Sequence, residues 1–195
     1  DLNTPKVMGI LNVTPDSFYD GGRFKDEKSV LNQVEKLLKE GATFIDIGAY
    51  SSRPGADFVS EEEELKRLIP IVNAVVNNFP ESLISIDSFR SGVIKTAIES
   101  GAAIVNDISG GQQDPLMFET VGALGVPYIM MHMRGTPQTM QKMTDYSGVV
   151  KEVYTYFSKR IELAKTQQIK DIILDLGFGF SKTLEQNFEL LGMLD

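Results

Sequence analysis

Short apolar runs alternate with longer amphipathic stretches along the whole chain. The short runs fall at 6–13, 43–48, 83–88, 103–109, 127–133 and 171–177. They are rich in Val and Ile, as strands buried on both faces are. Between them the apolar positions take a helical period at 26–40, 60–78, 91–100, 115–124 and 147–168, with a sixth helix expected from near 183 onward. Ser60, followed by glutamates 61 to 63, predicts a capping box with acid in the first helical turn. Gly41, Gly101 and Gly125 stand where helices should stop. Six consecutive βα units predict an α/β fold with a parallel sheet. Periodicity leaves two architectures open, a doubly wound open sheet and a (β/α)8 barrel. At roughly 30 residues per unit a full barrel needs about 250 residues. No linker or low-complexity tract breaks the pattern, so one domain over 1–195 is expected.

Each predicted strand ends in a polar side chain. The first reaches Asn12 and then Thr14-Pro15-Asp16-Ser17-Phe18-Tyr19-Asp20. The second reaches Asp46 and then Tyr50-Ser51-Ser52-Arg53-Pro54-Gly55. The others deliver Asp87-Ser88, Asn106-Asp107, His132 with Arg134, and Asp175. In parallel α/β folds ligands bind at that edge. Buried polar side chains are costly unless something hydrogen-bonds them, so their convergence suggests a site.

Composition narrows the chemistry. The chain has 195 residues, 42% hydrophobic and 24% charged, with net charge −8 and one histidine. An acidic balance argues against nucleic acid as a partner. Without cysteine there is no disulfide or thiolate site, and a metal would be a hard cation on oxygen ligands, magnesium rather than zinc. The apolar runs are far short of the ~20 residues a membrane span needs. Residues 1–4 show no signal-peptide character, so a cytoplasmic protein without a membrane partner is the expectation.

Asp87, Asn106 and Asp175 together offer two carboxylate acceptors and one amide. That set suits a flat heterocycle such as a 2-amino-4-oxo pyrimidine. Ser51-Ser52-Arg53-Pro54-Gly55 is an oxyanion or phosphate site by type, and Asn12 could hold Mg2+ through oxygen. Plainer readings stand beside these. Asp46 and Asp107 read as turn caps, and His132 as a structural hydrogen-bonding residue, since it has no evident nucleophile partner. Met131 and Met133 read as pocket wall, and glutamates 61 to 64 as a solvated helix start. Of Phe178 and Phe180, one is expected toward a pocket and one toward the core.

The motifs, taken in order, resemble the dihydropteroate synthase family. MGILNVTPDSFYDGGRF (8–24) and GATFIDIGAYSSRPGA (41–56) resemble its two signatures. SIDSFR (85–90), IVNDISGG (104–111), MMHMRGTPQTMQ (130–141) and ILDLGFGFSKT (173–183) continue the match. The resemblance implies a TIM (β/α)8 barrel, of which six βα units are present here. It implies a transferase of folate biosynthesis, the sulfonamide target. The reaction is condensation of 6-hydroxymethyl-7,8-dihydropterin pyrophosphate with p-aminobenzoate to 7,8-dihydropteroate and pyrophosphate. By similarity Asp87, Asn106 and Asp175 would grip the pterin, with Met131 and Phe180 in the same pocket. Asn12 would sit at Mg2+, and Ser52 and Arg53 would bind pyrophosphate. Phe18, Pro54 and Asp20 would form the p-aminobenzoate side. The resemblance admits a homodimer.

The sequence also departs from the family. It reads Gly48-Ala49-Tyr50-Ser51-Ser52 where many members have Gly-Gly-Glu-Ser-Thr, and Leu176 where proline usually follows the aspartate. The family's seventh-strand Ser-x-Lys loop and eighth-strand Arg-x-His motif do not occur in these residues. The expectation is therefore part of a longer protein, with little catalysis from 1–195 alone. Two other readings stay open: a pterin-dependent methyltransferase and an inactive pterin-binding fragment.

Overall fold

The computed structural model describes residues 3–13, 23–50, 59–136 and 139–194. Strands β1 (Met8–Asn12), β2 (Phe44–Gly48), β3 (Leu83–Asp87), β4 (Ile104–Asp107), β5 (Tyr128–Met131) and β6 (Ile172–Asp175) alternate with helices. The helices are α1 (Arg23–Lys39), α2 (Glu61–Asn78), α3 (Ser91–Glu99), α4 (Met117–Leu124), α5 (Val149–Thr166) and α6 (Leu184–Leu191). The strands are one to three residues shorter than the apolar runs.

All pairings are parallel, and the order is β1-β2-β3-β4-β5-β6. This order decides between the two architectures. A doubly wound sheet reverses its strand order at a switch point. Here every strand lies beside its predecessor, so right-handed crossovers send every helix to the same face. That is the winding of a (β/α)8 barrel, with six units present and β1 and β6 at the two edges of the described sheet.

Register separates the two faces of the sheet, because partners in a parallel pair share a face. Leu11, Ile45, Ile47, Ile84, Ile86, Val105, Tyr128 and Met130 point toward the helices and form the main core with Val34, Leu68, Val72, Val93, Ile94 and Phe157. The other face carries Ile10, Asp46 and Ser85 in one row, and Asn12, Gly48, Asp87 and Asn106 in the next. The apolar residues thus drive packing against the helix layer, and the alternate positions supply a polar inner face.

Helix ends follow elementary capping chemistry. Ser60 Oγ accepts from Glu63 N at 3.2 Å, but the Glu63 carboxylate turns to Arg67, so only half of the expected box forms. A complete box sits at Thr183–Gln186, where the sequence reading did not place one. Gly41, Gly101 and Gly125 have φ of +102°, +107° and +66°, the left-handed turn that glycine permits after a helix. No described helix is long and apolar enough to cross a membrane.

Gly122 lets α4 press against the end of α5, since a Cβ there would overlap the Gln167 carbonyl oxygen. Gly122→Ala is expected to lower the unfolding free energy by about 1–3 kcal/mol, as overpacking does. Urea unfolding checks this, and an unchanged midpoint would contradict the packing.

Candidate active site

The inner face becomes polar toward the C-terminal ends of the strands. Asp87 and Asn106 are register partners on β3 and β4, and Met131 and Asp175 are partners on β5 and β6. Asn12 lies in the same row as Gly48 and Asp87, exposed at the edge. The structure therefore brings Asn12, Asp87, Asn106, Asp175 and Met131 to one end of one face. Phe180 packs on an apolar cluster of Ile108, Met131, Met133 and Met140, with Phe89 beside it. This makes an apolar wall next to the carboxylate floor. Phe178 is 43% exposed, so Phe180 is the one that turns inward. Phe18, Asp20, Ser52, Arg53 and Pro54 lie outside the described residues.

Asp46 is not the turn cap expected from sequence. It is 5% exposed, and its Oδ2 accepts Asn106 Nδ2 at 2.9 Å across the inner face. This bond orients the Asn106 amide: one N–H is committed, while the carbonyl oxygen and the second N–H remain for other partners. Asp46 Oδ1 and Ser85 Oγ are buried without a hydrogen-bond partner among the described residues. Gly48 gives Asp87 its space. A Cβ at 48 would lie 3.2 Å from both Cβ and Oδ2 of Asp87.

Burial dominates the electrostatics. It pushes the Asp87 carboxyl well above the usual range, and the negative charges of Asp46, Asp107 and Glu64 push further in the same direction. Burial also raises Asp46, while the nearby Ser85 hydroxyl and then the Asn106 amide work against the rise. These groups hold charge at a cost, and a cationic or hydrogen-donating ligand edge would relieve it.

Asp107 does behave as a turn cap. Its fully buried carboxylate faces the helix layer and accepts from Ser109 N, Ser109 Oγ, Gly111 N and Tyr128 OH, each at 2.7 Å. His132 is held by ring packing, and its Nδ1 is buried without a hydrogen-bond partner among the described residues. Its imidazole packs edge-on against Tyr156 at 4.8 Å, and burial, aided by Lys182 and Arg134, pulls it down to about 3. It is neutral at ordinary pH and unsuited to proton transfer there.

The glutamate run needs correcting at Glu64. It is 1% exposed, accepts Ser88 Oγ at 2.7 Å and pairs with the Arg90 guanidinium. Arg90 also donates to the Val59 carbonyl at 2.6 Å and covers the rings of Tyr50 and Phe89 at 5.3 and 5.2 Å. This network ties the start of α2 to the end of β3. Tyr50, one of the departures from the family pattern, is buried against Phe89 edge to face at 5.1 Å. Sequence reasoning missed Glu64 and Arg90. It also missed Lys182, which is buried in the loop after β6. The nearest sequence signal for Glu64 was its place in the helical period beside Leu68, four residues on.

Comparison with known proteins bears on the family and the fold. The model of the pterin binding enzyme family matches residues 8–195. The chain belongs to that family. The Haemophilus influenzae dihydropteroate synthase is 46% identical over 197 residues, covering 100% of this chain and 71% of the relative. The folic acid synthesis protein fol1 of Pneumocystis carinii is 49% identical over 188 residues, covering 95% of this chain but only 25% of the relative. The crystal structure of Yersinia pestis dihydropteroate synthase in a sulfonamide drug complex superposes with a TM-score of 0.90 at 41% identity, over 100% of this chain and 70% of that one. The family's barrel winding is the one observed here.

Asp46→Asn keeps the side-chain shape and removes a buried charge. Because burial raises the folded-state pKa of Asp46, ionisation costs stability as pH rises through that range. The variant is therefore expected to be more stable than the native chain at pH near 7, with the advantage shrinking as pH falls toward the unfolded carboxyl value. Urea midpoints at neutral and mildly acidic pH check this, and a less stable variant at neutral pH would refute it.

Proposed function

We propose that the protein is a dihydropteroate synthase, joining 6-hydroxymethyl-7,8-dihydropterin pyrophosphate to p-aminobenzoate. The observation that carries this reading is the inner-face group of Asp87, Asn106 and Asp175 beside the Met131–Phe180 wall. A carboxylate accepts paired N–H groups from the amino-pyrimidine edge of a pterin, and the apolar side chains cover its faces. The Ser52-Arg53-Pro54 segment supplies the hydroxyl and guanidinium for pyrophosphate, and Phe18, Pro54 and Asp20 the p-aminobenzoate side. Relatives of known structure hold a sulfonamide drug, 4-aminobenzoic acid and 7,8-dihydropteroate.

In this reading the bond from the pterin methylene carbon to oxygen breaks, and its electron pair leaves with pyrophosphate. The amine of p-aminobenzoate gives its lone pair to that carbon, and the resulting ammonium loses a proton to solvent. The carbon is electron-poor as the leaving group departs. The carboxylates of Asp87 and Asp175 favour that positive charge. No enzyme nucleophile is required.

Asn12 fits the role of a magnesium ligand. Asn12 is exposed at the edge of the inner face, and its amide oxygen would supply one neutral ligand to a magnesium ion that keeps most of its waters. Among the described residues no group of three or more His, Cys, Asp or Glu could hold a metal by itself. Bound there, magnesium would neutralise charge on the leaving pyrophosphate. With this reading go a single pterin-binding domain over 1–195, small-molecule partners, a cytoplasmic setting and a homodimer.

Asp87→Asn tests the reading. Dihydropteroate formation at saturating substrates is expected to fall by about 10²-fold, the scale of losing one preorganised electrostatic contact. Native turnover in the variant would remove the role given to Asp87.

A further inference from the structure

The loop between β6 and α6 is built around a buried ammonium. Lys182 is 7% exposed, and its Nζ donates to the carbonyls of Phe180 at 2.9 Å, Gly177 at 3.0 Å and His132 at 3.3 Å. An ammonium has three N–H groups, and each has an acceptor here. The three carbonyls come from two strand-end segments, the end of β5 and the turn after β6. Ser181 adds to the same seam: its Oγ accepts from Arg134 N at 2.8 Å and donates to Arg134 O at 3.0 Å. Gly177 N in turn donates to Asp175 Oδ1 at 2.8 Å. Gly177, at φ +65°, lies so close to the His132 carbonyl that a Cβ would overlap it.

The residues joined through this seam carry the proposed pterin pocket. Phe180 is itself an acceptor, Met131 precedes His132, and Asp175 is bonded to Gly177. We propose that Lys182 is a positioning residue for pterin recognition, clamping the loop that carries Asp175 and Phe180 to the strand end that carries Met131. The inference rests on the reading of the site as a pterin site.

The charge is kept at a cost. Burial pulls Lys182 down to about 8, with Asp175 holding it up against that and Arg134 adding to the fall. An apolar side chain of similar length would avoid the cost but leave three carbonyls without donors. The groups around it are Asp175 on β6, Arg134 and neutral His132 after β5, Glu152 on α5 paired with Arg134, and exposed Glu185 at the start of α6. Below pH about 8 the clamp is charged. Above it the group is neutral in the closed loop, and because an opened, solvated Lys182 keeps the ordinary higher value, rising pH favours the closed loop. Global stability moves the same way. Between the folded value and the ordinary lysine value the unfolded chain binds more protons, so this group adds stability as pH rises. A merely structural lysine could be lost with dihydropterin affinity intact.

The test uses 6-hydroxymethyl-7,8-dihydropterin, calorimetry at pH 7 and pH 9, and hydrogen exchange of residues 177–182 without ligand. In the native chain, protection of 177–182, corrected for intrinsic exchange rates, is expected to rise by about tenfold from pH 7 to pH 9, because Lys182 is held near 8 in the closed loop and not in the opened one. In Lys182→Met, exchange in 177–182 is expected to accelerate by about tenfold while α2 and α3 keep their protection. Affinity in that variant is expected to be weak at both pH values. Native exchange or native dihydropterin affinity in the variant overturns the proposal, as does loop protection in the native chain that falls from pH 7 to pH 9. The native comparison needs no variant and stands if Lys182→Met fails to fold. Faster loop exchange in the variant with no dihydropterin binding by the native chain leaves the clamp in place and overturns the pterin reading instead.

Discussion

Residues in register on a parallel sheet share a face, and on this sheet that rule sets two carboxylates on one face in successive rows, where water is scarce. Asp46 on β2 and Asp87 on β3 face inward on adjacent strands, and burial raises both. The arrangement survives because small or donating neighbours accommodate it. Gly48 leaves room for the Asp87 side chain, and Asn106 gives an N–H to Asp46. Neither device removes the negative potential. What remains is a floor that a hydrogen-donating, electron-poor ring would stabilise, beside a wall of Met131 and Phe180 that would cover its face.

Among the described residues, the nearby cations make their hydrogen bonds away from that floor. Arg90 is engaged with Glu64 and the Val59 carbonyl, Arg134 with Glu152, and Lys182 with carbonyls. Each of them joins segments that lead into or out of the strand ends. Their charge serves to fix loops, and the acids of the inner face keep their effect on whatever enters. Stability and function pull apart here: buried Asp46 and Lys182 both carry charge against desolvation.

The alternation of strands and helices was legible because buried strands read as short Val and Ile runs, and the helices between them kept their period. What periodicity left undecided was whether the order reverses, since neighbours in space are not written in local pattern. Asp107 and Asp46 show the same limit at the level of single residues. Both are strand-end aspartates in apolar context, yet Asp107 points to the helix layer and caps a turn, while Asp46 points inward to Asn106. Only register tells them apart. Glu64 was hidden in a run of acids whose other members are more exposed. Lys182 was hidden because its partners are backbone carbonyls positioned by turns at Gly177 and Ser181, which have φ of +65° and +52°. A lysine in a Gly- and Ser-containing loop ordinarily reads as solvated.

The central claim is that the inner-face carboxylates and the Asn106 amide receive the edge of a pterin. The most direct measurement is a crystal structure of the protein with 6-hydroxymethyl-7,8-dihydropterin pyrophosphate bound. The account predicts the amino-pyrimidine edge within hydrogen-bonding distance of Asp87, Asn106 and Asp175, with the ring against Met131 and Phe180 and the pyrophosphate directed toward Asn12 and Arg53. A ring bound elsewhere, or seated there with its edge turned away from all three polar groups, would contradict it.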